Sequence, residues 1–172
     1  MAQAPLSLKA RAIGLLAQRE HSRAELRRKL LRIEQQRLRR AAAVQVTGEG
    51  VESEPAIEDD LAAREAAVDA LLDALAADGY LDETRFVESR LHVRAGRFGA
   101  KRIQQELAQH GLRLDAEQQA ALRATELERA REVWLKRFGA EPSRDLAEQA
   151  RQTRFLLARG FAPEVVRRLL RA

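Results

Sequence analysis

Arg90, Arg94 and Arg97 are spaced four and three residues apart, so on a helix they share one stripe, and Lys101 and Arg102 follow directly after a break at Gly96 to Gly99. Guanidinium and ammonium groups gathered in this way suit phosphates or the carboxylates of an acidic partner, because they offer multiple charge-assisted donors over a small area. Glu88 and Glu106 offset part of the charge, which makes a merely solvated stripe the competing reading. A second, weaker stripe holds Arg23, Arg27 and Arg28. Partner contacts are therefore expected first at Arg94, Arg97, Lys101 and Arg102, and next at Arg27 and Arg28.

Residues suited to catalysis or metal binding are scattered. His21, His92 and His110 have no second histidine three or four positions away, so they do not form a metal-ligand pair on a helix. His21 beside Ser22 resembles part of a hydrolytic triad, but Ser22 with Glu25 three residues later is better explained as a helix capping box. The adjacent carboxylates Asp59–Asp60 and Asp82–Glu83 stand near helix starts, where acids favour the dipole. Gly96 to Gly99 lacks the lysine-serine ending of a phosphate loop. With no cysteine in 172 residues, disulfides, thiolate zinc sites and cysteine nucleophiles are excluded. No catalytic residue, metal or cofactor is expected, and the chain is read as a binder and not as an enzyme.

The elements that carry these residues are helices. Charged residues make up 33% of the chain, aromatics only 4%, and Ala, Leu, Arg and Glu dominate, a composition that favours helix over sheet. A short pattern repeats along it. Ile103 and Leu107 form an i, i+4 pair followed by Gly111 and Leu112; Leu156, Gly160 and Phe161 repeat the ending 49 residues later. Near the N-terminus Leu26 and Leu30 repeat the pair, but Glu34 stands in the glycine position. Glycine after an amphipathic helix supplies the left-handed residue that stops it, and the following apolar residue folds back on the last turn. A period of roughly 50 residues points to stacked helical units that bury a core together.

The spacing predicts a first helix from about Ser7 to Arg19 and a second from Ser22 that continues, without a stop glycine, through Arg37, Arg39 and Arg40 towards Ala43. Thr47 to Asp60 reads as a linker-like insertion, with helix resuming by Leu61 and ending at Gly79. Asp82 caps a helix to about Ala95; the Ile103/Leu107 helix follows; Asp115 with Gln118 is a capping box for the next, to about Thr125. Leu127, Ala130, Trp134 and Phe138 share one face of a helix ended by Gly139, and Trp134 belongs to that core face. Ser143 is expected to cap the helix that runs to Gly160, and Pro163 opens the last one, with Val166, Leu169 and Leu170 inward. The expected fold is all-α: three tandem three-helix, helix-turn-helix-like repeats in an elongated curved array. The repeats span 1–79, interrupted at about 33–60, then 80–125 and 126–172.

Net charge is +5, unevenly placed: +8 over residues 1–40, −10 over 41–90 and +7 over 91–172. Such blocks suggest a partner of mixed potential, such as a protein filament holding nucleic acid. No apolar run reaches the ~18–20 residues of a membrane span, and a cytoplasmic monomer without membrane contact is expected.

Four stretches resemble the RecX family, the bacterial regulators of the RecA recombinase. They are Ala17-Gln-Arg-Glu-His-Ser-Arg-Ala-Glu-Leu-Arg-Arg-Lys-Leu-Leu31, Asp78-Gly-Tyr-Leu-Asp-Glu-Thr-Arg-Phe86, Phe98-Gly-Ala-Lys-Arg-Ile-Gln-Gln-Glu-Leu107 with Gly111, and Phe155-Leu-Leu-Ala-Arg-Gly-Phe161. The resemblance implies three tandem three-helix repeats, binding in the groove of RecA filaments, and inhibition of filament extension, ATPase and strand exchange in DNA repair and recombination. The sequence departs from the family pattern in the insertion, in Glu34, and in Gln152, which stands where Ile103 has its counterpart. The rival reading is a nonspecific DNA-binding helical protein, which the basic termini favour and the acidic middle opposes. A structural helical scaffold is a third.

Overall fold

The computed structural model describes residues 6–45, 54–139 and 145–171. Among them it contains nine α-helices and no strand: α1 Leu8–Leu16, α2 Arg23–Gln45, α3 Glu54–Ala77, α4 Glu83–Ala95, α5 Ala100–Ala108, α6 Ala116–Ala124, α7 Glu126–Phe138, α8 Leu146–Ala158 and α9 Pro163–Leu170. The chain divides into two compact units, Met1–Phe86 and Val87–Ala172.

In the first unit Ser7 caps α1, its hydroxyl accepting from the Ala10 amide at 3.2 Å, and Ser22 caps α2, accepting from the Glu25 amide at 3.1 Å. With glutamate at position 34, nothing stops α2 until Gln45. The expected linker is shorter than its composition suggests. Helix α3 starts at Glu54, seven residues before Leu61, because an acid followed by proline suits a first turn whose amides need no helical partner. Residues 46–53 of the expected insertion lie outside the described residues. Ala12, Leu26, Leu30, Val68, Leu72, Leu75 and Leu81 form the buried core. These are the i, i+4 leucines of the broken repeat, packed on the heptad-like row of α3.

A polar network lies against this core. His21 is buried; its Nδ1–H donates to the Arg19 carbonyl at 2.9 Å, and its Nε2 accepts from the Lys29 ammonium at 2.9 Å, which sets a neutral tautomer. Burial lowers the His21 pKa below 6.5, reinforced by the Arg19 and Lys29 charges and opposed by the Arg19 carbonyl and Glu25. Burial works the other way on Glu25, but the Arg19 hydrogen bond and the neighbouring cations outweigh it and draw its pKa down to about 2.

The second unit contains the two intact copies of the repeated ending. Gly111 and Gly160 adopt φ of +76° and +82°. The Leu112 amide then reaches back to the Leu107 carbonyl at 3.0 Å, and the Phe161 amide to that of Leu156 at 3.3 Å, the six-to-one bond of a Schellman stop. The first unit has the same device at the glycine expected to end α3: Gly79 has φ +76° and the Tyr80 amide donates to the Leu75 carbonyl at 2.9 Å. Asp115 and Gln118 make the expected reciprocal capping box, the Gln118 amide donating to Asp115 at 2.7 Å and the Asp115 amide to the Gln118 side chain at 3.1 Å.

Ala130, Val133, Trp134, Leu156, Phe161, Val166 and Leu169 build the core of α7, α8 and α9. Gln152, out of place among apolar residues in the sequence, is 3% exposed and accepts from the Trp134 indole N–H at 3.1 Å. An isoleucine there would leave that buried donor without an acceptor. The cap of α8 is Asp145, accepting from the Glu148 amide at 2.9 Å. The expected cap, Ser143, lies outside the described residues, and the helix begins at Leu146.

The sign of the pH dependence follows from the first unit. Both His21 and Glu25 bind protons more readily unfolded than folded, so their contributions are complete above about pH 6.5 and pH 4.5 respectively and fade as pH falls through the lowered folded values. Thermal unfolding followed by circular dichroism should give a midpoint that drops steadily from neutral to acid pH. Glu25→Gln should lower stability at neutral pH by about 1–3 kcal/mol and flatten the slope below pH 4.5. An unchanged slope would refute this account.

Candidate partner-binding site

Three of the expected contact residues converge on one ring. The Arg94, Arg97 and Arg102 guanidinium carbons lie 5.2, 5.9 and 5.4 Å from the centroid of Phe98, and Arg159, from the end of α8, lies at 5.9 Å. Cations at this range of an aromatic face each gain about 0.5–1 kcal/mol at exposed sites. Glu106 relieves part of their mutual repulsion, with Arg94 at 2.8 Å and Arg102 at 3.6 Å. The Arg94 contact is ionic only: its Nε–H makes no hydrogen bond despite the short distance. Lys101 stands exposed in the first turn of α5. Beside the cluster a cavity of about 370 Å³ is lined by Arg90, Arg94, Arg102, Gln105, Glu106 and His110, among others.

The turn that carries Phe98 is held from three sides. The Gly99 amide donates to the Arg159 carbonyl at 3.0 Å, and a methyl group on Gly99 would sit 2.2 Å from the Gly160 oxygen, so only glycine permits the two backbones to meet. From the first turn of α7, buried Glu126 accepts through one oxygen from the Ala100 amide at 3.0 Å and the Ala162 amide at 3.3 Å, capping the starts of α5 and α9 together. One turn on, Arg129 donates to the carbonyls of Ala95 at 3.0 Å, Phe98 at 2.8 Å and Leu122 at 2.6 Å. Burial pulls the Arg129 pKa below its ordinary value, with the Glu126 charge opposing.

The first-unit candidates are placed differently. Arg27 is engaged inside its own unit, with Asp69 at 2.7 Å and Glu65 at 2.9 Å. These hydrogen bonds push its pKa further up and lower that of Asp69. Arg23 pairs with Asp73 at 2.7 Å. Arg28 is exposed on the same helix. The basic first block is thus partly matched by acids of α3 within one unit, which accounts for some of the charge segregation without an external partner.

Phe98 and Arg159 were missed as site residues. The available signal was that each precedes a glycine, in two of the stretches that carry the family resemblance. Among the described residues no group of three potential metal ligands occurs, and no helix is long and apolar enough to cross a membrane.

Residues 124–170 match the family model described as RecX, third three-helix domain. The chain is 45% identical over 168 residues to a regulatory protein RecX of Ralstonia pickettii, covering 96% of this chain and 87% of that one. It is 47% identical to that of Leptothrix cholodnii, covering 96% and 88%. The chain belongs to the RecX family. A more distant relative, the regulatory protein RecX of Pseudomonas putida, is 38% identical over 96% of this chain and 90% of its own length. The all-helical repeat fold expected from that resemblance holds among the described residues.

Within this RecX-family site, Gly99→Ala should lower the stability of the second unit by about 1–3 kcal/mol, since backbone and not a flexible side chain blocks the added methyl. Urea denaturation monitored by Trp134 fluorescence measures it, because Trp134 lies in the core of that unit. Wild-type stability would mean that the Gly99–Gly160 approach is looser than described.

Proposed function

We propose that the chain is a negative modulator of the RecA recombinase, binding in the groove of RecA filaments and inhibiting their extension, ATPase and strand exchange. The observation that carries this reading is similarity along 96% of the chain to regulatory RecX proteins. The geometry supports it: an arginine cluster on a turn braced by Gly99, Glu126 and Arg129 is ordered before any partner arrives, which reduces the entropy lost on binding. On this reading the chain is three repeats, over 1–79, 80–125 and 126–172, with the segment at about 33–60 inserted in the first. It acts as a monomer in the cytoplasm without catalytic chemistry, because preferential binding to one filament state suffices to regulate it.

Arg94, Arg97, Lys101 and Arg102 are the proposed contacts. Arg28 follows, and Arg27 ranks last because its charge is engaged with Asp69 and Glu65.

The test is the DNA-stimulated ATPase of RecA from the same source, with the chain titrated in below one per RecA subunit. Inhibition well below equimolar is expected, and no inhibition would overturn the reading. The double variant Arg97→Glu/Lys101→Glu should need about tenfold more protein for the same inhibition, a loss of about 1.4 kcal/mol. Helicity should not change. Undiminished inhibition by a folded double variant would remove this patch from the interface.

A further inference from the structure

The cavity between α4 and α5 already holds a carboxylate, and it is the chain's own. The cavity has a volume of about 370 Å³ and is lined by Arg90 and Arg94 from α4 and by Arg102, Gln105, Glu106 and Gln109 from α5 and its end. Glu106 reaches between two cations: Oε2 lies 2.8 Å from Arg94 Nε, and Oε1 lies 3.6 Å from Arg102 Nε. Neither contact is a hydrogen bond. The first is short but misaligned, so the buried Arg94 Nε–H goes without an acceptor, and the second is too long. Glu106 is therefore held at these two cations by charge alone, with 23% of its side chain still open to solvent.

We propose that this cavity receives one Asp or Glu side chain of a protein partner, and that Glu106 is its built-in competitor, an autoinhibitory contact displaced when the partner's carboxylate enters. A guanidinium binds a carboxylate best when two N–H groups meet two oxygens in parallel. Glu106, fixed to α5 and shared with Arg102, does not reach that geometry at Arg94, whereas a carboxylate arriving from outside can take the Arg94 Nε–H and an Nη–H together. The exchange replaces a misaligned contact with a bidentate pair and gives the buried donor an acceptor. Charge favours entry, because the lining brings three guanidinium groups against the single carboxylate of Glu106. Size does too: the volume falls among ligand pockets of roughly 300–1,000 Å³, with room for a side chain and not only its charged end. The Gln105 and Gln109 amides supply donors and acceptors for the main chain that carries it. An Asp or Glu carboxylate stands on a short stem and can be inserted, while a phosphodiester is locked into its own backbone. The inference deepens the RecA reading and takes only the partner's identity from it.

The first experiment uses the full chain without RecA. Binding of a fluorescein-labelled hexaglutamate peptide is followed by anisotropy at about 100 mM salt, where charges farther apart than ~10 Å are largely screened. Glu106→Gln should bind the peptide about fivefold more tightly than wild type, because the internal competitor is gone. Glu88→Gln removes the same charge from an exposed position on α4 that does not line the cavity, and should leave affinity nearly unchanged. Arg94→Lys keeps the charge and removes the parallel pair of donors, and should lose about fivefold. Circular dichroism checks that each variant is folded.

No saturable binding by Glu106→Gln, no gain beyond that of Glu88→Gln, or full affinity in folded Arg94→Lys would each overturn the inference. An oligothymidylate that gains as much from Glu106→Gln as the peptide does would also overturn it, in favour of a phosphate site. The RecA ATPase assay then separates the two readings. If RecA supplies the carboxylate, Glu106→Gln should reach the same inhibition with several-fold less protein than wild type. Equal inhibition by the two would overturn RecA as the source of that carboxylate. The expected peptide pattern with no inhibition by the wild-type chain removes the RecA reading alone, and wild-type inhibition without the peptide pattern removes the cavity reading alone.

Discussion

Two charged residues one helical turn apart organise the second unit. Glu126 turns toward two helix starts and Arg129 toward the carbonyls of Ala95, Phe98 and Leu122. Helix starts leave amides unpaired and helix ends leave carbonyls unpaired, so an acid and a base on one turn of α7 can satisfy both kinds at once. The charges match the dipoles they meet, negative at the starts of α5 and α9 and positive near the ends of α4 and α6. Removing either side chain would leave backbone groups without their partner, at about 1–3 kcal/mol for each one buried. The pair also fixes where the Phe98 turn lies, and therefore where four arginines gather.

The first unit handles charge differently. Arg23 and Arg27 on α2 pair with Glu65, Asp69 and Asp73 on α3. Part of the contrast between the basic N-terminal block and the acidic middle block is thereby settled inside the unit. The second unit holds its cations close together, with Glu106 and Glu148 paired among them. It does so by laying them on aromatic rings, which lowers the cost of crowding without neutralising the positive charge.

Local rules made much of this legible in the sequence. Gly111 and Gly160 stop helices as the repeated ending predicts, and Asp115 with Gln118 forms its box, whereas Arg97 lies in the turn after α4 and not on the helical stripe that its spacing from Arg90 and Arg94 suggested. The stops and the box each depend on residues within one or two turns. What escaped depends on distant partners. Glu126 looks like an ordinary first-turn acid until Ala100, 26 residues before it, and Ala162, 36 after, are brought to its oxygen. Arg159 joins the cluster across 62 residues. Gln152 broke the apolar register for a reason visible only when Trp134 arrives beside it. The early start of α3 was hidden because Pro55 and its acidic neighbours have the same composition in a linker as in a first helical turn.

The bond from the Gly99 amide to the Arg159 carbonyl spans two segments that no local helix unites. Its amide proton is protected only while the end of α8 stays seated on the turn before α5, so its exchange with solvent clocks that seating and not the melting of any single helix. One backbone proton thus serves as a gauge of opening motion in the second unit. Its neighbours inside α5, shielded by their own helical bonds, register a different event.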